Sequence, residues 1–191
     1  MAAGAPLMTD PAPGSGLFET LLGARYAALA PAVQRFHRLQ RPARLEGWVE
    51  TAAPASGLAR LAAFALGSPR AASKRRFAFE LVPGVGHEIW RRHFADRPMA
   101  SRLCAQGGQL QERLGPATLR FDLRVEDGAL VFQLASLRLW GVPCPRAWLP
   151  RVSARESGDG DFLHFHITAE MRGAGVVANY QGRLFVPAGE R

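Results

Sequence analysis

From Lys74 to Val186 apolar and polar residues alternate with a period of two, whereas before Lys74 most apolar residues recur every three or four positions. The alternation is clearest around Arg120 to Leu134. Phe121, Leu123 and Val125 share one face there, and Arg120, Asp122, Arg124 and Glu126 share the other, as in a half-buried strand. Asp127-Gly128 supplies the positive φ of a tight hairpin, and the run from Ala129 to Leu134 begins the return strand. Phe77, Phe79 and Leu81 alternate in the same way. Further strands are expected over His87–Phe94, Met99–Cys104, Gln109–Leu114, Val152–Ser157, Asp161–Met171 and Val176–Val186. An earlier strand runs from Arg44 to Thr51, with the face of Trp48 left open. The Trp140 to Pro145 stretch has two prolines, which marks an edge or crossing segment and no central strand.

The helical spacing falls in three places. Ser15 is placed to cap a helix over 16–26 with Leu17, Phe18, Leu21, Leu22 and Tyr26 as its stripe. Ala30-Pro31 opens a second over 31–40, carrying Val33, Phe36 and Leu39. Ser56 caps a third over 57–66, with Leu58, Leu61, Ala62 and Ala65 on one face, Phe64 beside them, and Gly67 as terminator. This helix either closes one end of the sheet or shows an apolar face to solvent. The pattern predicts an α+β fold. Its main part is an antiparallel β meander of eight to ten strands, curled into a barrel-like or strongly bent sheet because an open sheet of that size would leave edges bare, with short N-terminal helices over one end. Residues 15–187 are read as one domain, between a disordered lead over 1–14 and a tail over 188–191.

At 191 residues with 48% apolar, the chain is long enough to bury about 70% of its unfolded surface. No basic start precedes an apolar core, and no apolar run reaches a membrane span. This leads to an expectation of a cytoplasmic protein with no transmembrane segment, for which peripheral membrane contact stays open. Cys104 and Cys144 form no metal-ligand spacing and are expected as thiols. The net charge of +8 invites a polyanion, but the basic residues are nearly all arginines spread through alternating strands, so no specific nucleic-acid partner is expected.

Two polar sets interrupt the apolar pattern. On His87–Phe94, Glu88, Trp90, Arg92 and Phe94 share a face, so a buried Trp90 carries Glu88 and Arg92 inward with it, onto the floor of a cavity or toward an edge. Ser153 and Arg155 share a face with Arg151 while Glu156 turns the other way; Arg155 is placed either to receive an anionic group or to pair with Glu88 or Glu156. His164 and His166 share a face but lack further ligands at metal-site spacing, so no metal is expected. Nucleophile-elbow, phosphate-loop and dinucleotide motifs are missing from the sequence, and no cofactor is expected.

The stretches Leu17-Phe-Glu-Thr-Leu-Leu-Gly, Glu88-Ile-Trp-Arg-Arg-His-Phe, Glu112-Arg-Leu-Gly-Pro, Leu139-Trp-Gly-Val-Pro-Cys-Pro and Leu149-Pro-Arg-Val-Ser-Ala-Arg-Glu together resemble a bacterial family of uncharacterised domains, domain of unknown function 4166. The resemblance implies a domain found alone or C-terminal to an NAD(P)-binding domain, so that a role on a cofactor enzyme is here either supplied through a separate NAD(P)-dependent partner or absent. Its more distinctive motifs fall on Glu88, Trp90, Arg92, Ser153, Arg155 and Glu156, which are therefore the candidate ligand-binding residues; no catalytic residue is assigned. The expected function is to bind a small amphipathic or lipid-like ligand inside the sheet as an accessory to that partner. The alternatives are a protein or membrane-surface interaction module, and an enzyme using Glu88 and Arg155. An enclosed volume above about 300 Å³ with Glu88 and Arg92 on its wall would favour the binder. A filled interior under an exposed apolar helix would favour the interaction module.

Overall fold

The structure, a computed structural model, describes residues 16–188. The expected lead, the Ser15 cap and the last residues of the tail lie outside them. Eleven strands follow in chain order: β1 (Ala43–Thr51), β2 (Ser73–Gly84), β3 (His87–His93), β4 (Pro98–Gln106), β5 (Gln109–Leu114), β6 (Ala117–Glu126), β7 (Ala129–Leu139), β8 (Val142–Pro143), β9 (Arg151–Asp159), β10 (Phe162–Met171) and β11 (Gly175–Phe185). Each neighbouring pair is antiparallel. β1 pairs with both β2 and β11, β7 with both β6 and β9, so ten strands close into a barrel while the two-residue β8 hangs on β7 outside the ring. Closure removes the bare edges that a ten-stranded open sheet would carry.

The hairpin turn between β6 and β7 has Asp127 at φ 51° and Gly128 at φ 76°, the doubly left-handed turn whose twist matches its strands. Trp48 lies outside the barrel, half exposed, because Leu45 and Val49 take the inner positions on β1. Strand β9 extends beyond the expected 152–157 at both ends, and the turn after it moves to Gly160-Asp161.

One end of the barrel is stoppered by the N-terminal helices. α1 (Leu17–Leu22) gives way at Gly23, φ 55°, to a 3-10 helix over Gly23–Ala28, and α2 (Pro31–His37) stops before the expected residue 40. Phe18, Leu22, Tyr26, Leu29, Val33 and Phe36 all enter the core. The Tyr26 hydroxyl donates to the Gln34 carbonyl at 2.6 Å, and Arg35 donates to the Val186 carbonyl at 3.1 Å and to Asp161 at 2.8 Å, which staples the plug to the rim.

The opposite end is partly roofed by α3 (Gly57–Leu66). Its bounds are those the sequence predicts: the Ser56 hydroxyl accepts from the Ala59 N–H at 3.1 Å, and Gly67 terminates it at φ 72°. Of the two orientations left open, the helix takes the one with its large apolar side chains outward. The helix packs its alanines, Ala59 and Ala63, against Ala174 and Val177, and turns Leu58, Leu61 and Phe64 to solvent, 58%, 65% and 52% exposed. Among the described residues no helix is long and apolar enough to cross a membrane.

Candidate ligand-binding site

Strand β3 sits between β2 and β4 with Glu88, Trp90 and Arg92 all inward and buried. Glu88 and Arg92 do not pair. Four residues along one strand separate them by about 13 Å, and each finds its own partner. Glu88 accepts the Trp90 indole N–H at 2.8 Å. Arg92 donates to the Ser101 hydroxyl at 3.1 Å and to Glu112 at 3.4 Å, and its guanidinium lies over the rings of Trp90 and Phe79 at 5.2 and 5.8 Å. Two polar clusters result. The Arg92, Ser101 and Glu112 group spans β3, β4 and β5 toward the α3 end, while Glu88 lies toward the plug.

Across the barrel, Glu156 on β9 meets a residue that the periodicity does not flag. His37, at the end of α2, is 1% exposed and its Nε2 donates to Glu156 Oε2 at 2.7 Å. The His37 ring is tilted against Phe18 with centroids 3.8 Å apart and stacks on Trp90 at 6.0 Å, so plug and barrel floor share one aromatic cluster with Phe36 and Phe79. Its Nδ1 is buried with no partner.

Burial raises the Glu88 carboxyl above its ordinary value; neighbouring His37 and the Trp90 N–H pull it back, and Glu156 pushes it further up. The unfolded chain ionises Glu88 freely, so the folded state binds more protons between the two values. Stability contributed at this residue therefore falls as pH climbs from about 4.5, the unfolded value, through the higher folded one. Glu88→Gln keeps an acceptor for Trp90 and removes the ionisation. Thermal unfolding over a pH series should show the variant at least as stable as the parent at pH 7 to 8, with the gap closing toward pH 4; an unchanged gap across the series would mean that Glu88 is not desolvated.

Between the Arg92 group and Glu156 lies a cavity of about 170 Å³. Its walls are mainly apolar, Phe77, Leu103, Phe121, Phe132, Leu163 and Ala178 among them, and the polar groups on it include Arg92, Glu112, Glu156 and Tyr180. The Tyr180 hydroxyl is pushed up to about 12 by burial, so it stays a neutral phenol. The cavity opens beside α3, where the inward residues Leu114, Leu119, Leu139, Pro150 and Val152 are only half-buried. Its volume is below the 300 Å³ expected for a binder, and Arg92 is on the wall but Glu88 is not, being covered by Trp90 and the plug. A dry apolar cavity of about 150 Å³ nonetheless holds a benzene-sized molecule.

The remaining candidate residues sit elsewhere. Ser153 and Arg155 point out of the barrel, because Val152, Ala154 and Glu156 occupy the inner positions of β9. The Arg155 guanidinium lies 3.7 Å from Glu126 and not against Glu88 or Glu156. Glu88, Trp90, Arg92 and Glu156 are thus brought to the interior and Ser153 and Arg155 are not. His164 and His166 flank a groove on the outer surface with Trp48, Arg155 and Arg183. Among the described residues, no three His, Cys, Asp or Glu side chains converge as a metal site. Both cysteines are free thiols. Sequence reasoning missed Ser101, Glu112 and Tyr180 as well as His37. The first two occupy inward positions of alternating runs, Met99-Ser101-Leu103 and Leu110-Glu112-Leu114, and could have been marked as polar exceptions there.

The family model described as "Domain of unknown function (DUF4166)" matches residues 29–184. No curated protein matches. Among solved structures, the crystal structure of Rv2717c from M. tuberculosis is similar, with 16% identity, a TM-score of 0.45, and coverage of 84% of this chain and 99% of that one.

Proposed function

We propose that this chain, which belongs to the DUF4166 family, holds a small amphipathic molecule in its barrel. The apolar body lies among Phe121, Phe132 and Leu163, and the polar group accepts from Arg92. The observation that carries this reading is the cavity itself: about 170 Å³ of mostly apolar interior, open beside α3, with a fixed guanidinium on the wall. Arg92 has five N–H donors and uses one from each terminal nitrogen on Ser101 and Glu112, which fixes the fork and leaves donors toward the cavity. A chain longer than the enclosed space continues out along Leu119, Leu139 and Val152.

Holding suits the site better than turnover. The interior carboxylates are engaged, Glu112 by Arg92, Glu156 by His37 and Glu88 by Trp90, an arrangement that fixes orientation and leaves no group poised beside a second reactant. The domain on this reading acts as accessory to a partner enzyme, the NAD(P)-dependent one that the family resemblance implies.

Protein purified gently and examined by native mass spectrometry should carry a small co-purifying molecule. A panel of fatty acids and isoprenoids should raise the melting temperature by roughly 5–10 °C for a binder present at a hundredfold its Kd. Ala154→Phe, which fills the cavity wall, should abolish the shift while the fold persists. Recovery of the bare chain mass alone, with no shift from any member of the panel, would overturn the proposal.

A further inference from the structure

Of the ten large apolar side chains exposed among the described residues, six lie at the open end of the barrel and Trp48, Val85, Phe162 and Phe185 lie elsewhere. Leu58, Leu61 and Phe64 of α3 stand on one side of the mouth; Trp140, Val142 and Trp148, 79%, 67% and 69% exposed, stand on the other, in the connection from β7 to β9. The two groups belong to one rim. The Ala65 carbonyl packs against Gly115, and the Trp140 N–H donates to the Pro116 carbonyl at 2.9 Å, so the turn between β5 and β6 links them. Half-buried Leu114, Leu139 and Pro150 line the opening between. Trp140 also sits at φ 48°, a left-handed conformation costly for a bulky residue, at the tip of a hairpin that leaves its ring in solvent.

Charge at this end is one-sided. Arg60, Arg138, Arg146, Arg151 and Arg172 are exposed, and none makes an ion pair among the described residues. The exposed carboxylates nearby are few: Asp96 accepts the Arg70 backbone N–H, Glu50 lies 3.8 Å from Lys74, and Glu170 remains. Phe64 is flanked by the guanidinium groups of Arg70 and Arg97 at 5.2 and 4.9 Å. At the plug end Glu19 and Asp161 are each bound to an arginine of α2 or its C-terminal flank, while Arg25, Arg41 and Arg124 are exposed without an ion pair among the described residues.

We infer that the open end of the barrel docks on an anionic lipid bilayer, Leu58, Leu61, Phe64, Trp140 and Trp148 entering the interface and the unpaired arginines meeting headgroup phosphates. Amphipathic aromatics and arginines are the residues that settle where an apolar phase meets a charged one. Each basic residue near such a surface is worth about fivefold in affinity, an effect that salt screens. A second copy of this chain fits poorly, because its own rim brings the same unpaired arginines into contact. The inference goes beyond ligand binding and holds whether or not the cavity is filled.

Flotation of the full chain with vesicles tests it. At low salt the protein should float with mixed phosphatidylglycerol and phosphatidylcholine vesicles and stay behind with phosphatidylcholine alone, and brominated acyl chains should quench its tryptophan emission. Leu61→Glu with Trp148→Glu should weaken binding by at least about tenfold with the melting temperature unchanged, since both residues are exposed. Arg146→Glu with Arg151→Glu should weaken it similarly and flatten the salt dependence. Failure to float with anionic vesicles at low salt would overturn the inference. So would flotation without quenching that Leu61→Glu with Trp148→Glu leaves unchanged, or concentration-dependent self-association that this variant removes in a chain with no vesicle binding.

Discussion

His37→Ala is expected to cost about 3–5 kcal/mol of unfolding free energy, read from urea denaturation at neutral pH. The ring is buried against Phe18 and Trp90, and its Nε2 holds Glu156, itself only 7% exposed. Removing it leaves a carboxylate in a low-dielectric floor with its partner gone, and also leaves a hole in the aromatic cluster. Glu156→Gln should cost less, because the amide oxygen still accepts from His37 and no charge is stranded. The double variant His37→Ala, Glu156→Leu should recover much of the loss, which would identify the stranded charge as the main cause. A His37→Ala protein within about 1 kcal/mol of the parent would show that the plug is held by its apolar residues alone. The result bears on function because this contact separates the cavity from solvent at the α2 end.

The barrel was legible because most strands keep their period: Phe77, Phe79 and Leu81 on β2 and Phe121, Leu123 and Val125 on β6 all sit on the side that alternation assigns them, and β7 changes phase only at the register shift opposite Arg120 and Phe121. Glycine signals marked the turns, with Asp127-Gly128 the clearest. The roof helix shows where such reasoning stops. A stripe of Leu58, Leu61 and Phe64 says that α3 has an apolar face but not which phase that face meets, and the end it covers is built from Ala174 and Val177, which accept only alanines at close range. The candidate site was half legible for a similar reason. Trp90 decides the face of β3 and carries Glu88 and Arg92 inward with it. On β9 the inner residues Val152 and Ala154 are small, so Arg155 looked as well placed to face in as Glu156. His37 could not be found from spacing, since its partner is 119 residues away and only closure of the barrel brings the two together.

Gly47→Ala and Gly182→Ala should each destabilise the protein by at least about 3 kcal/mol or prevent folding, an effect large for adding a single methyl group to a strand. Neither glycine has a positive φ, so conformational freedom is not the reason. The reason is where they stand. β1 and β11 form the seam at which the N-terminal and C-terminal strands meet to shut the ring, with Gly47 opposite Leu184 and Val49 opposite Gly182. A Cβ at Gly47 would overlap the Arg183 carbonyl oxygen; one at Gly182 would overlap the Trp48 carbonyl oxygen and come within 2.7 Å of the Phe165 ring. Backbone cannot swing aside as a side chain does, so the strands would have to part, and parting them exposes two edges and the interior at once. Gly57→Ala is the matched control: a Cβ there meets nothing within 4 Å and lies at the start of α3, where it should stabilise by about 0.4–1 kcal/mol. If all three substitutions behaved alike in urea denaturation, the close approach at the seam would not be what keeps the barrel shut, and the cavity would have to owe its walls to the plug and roof instead.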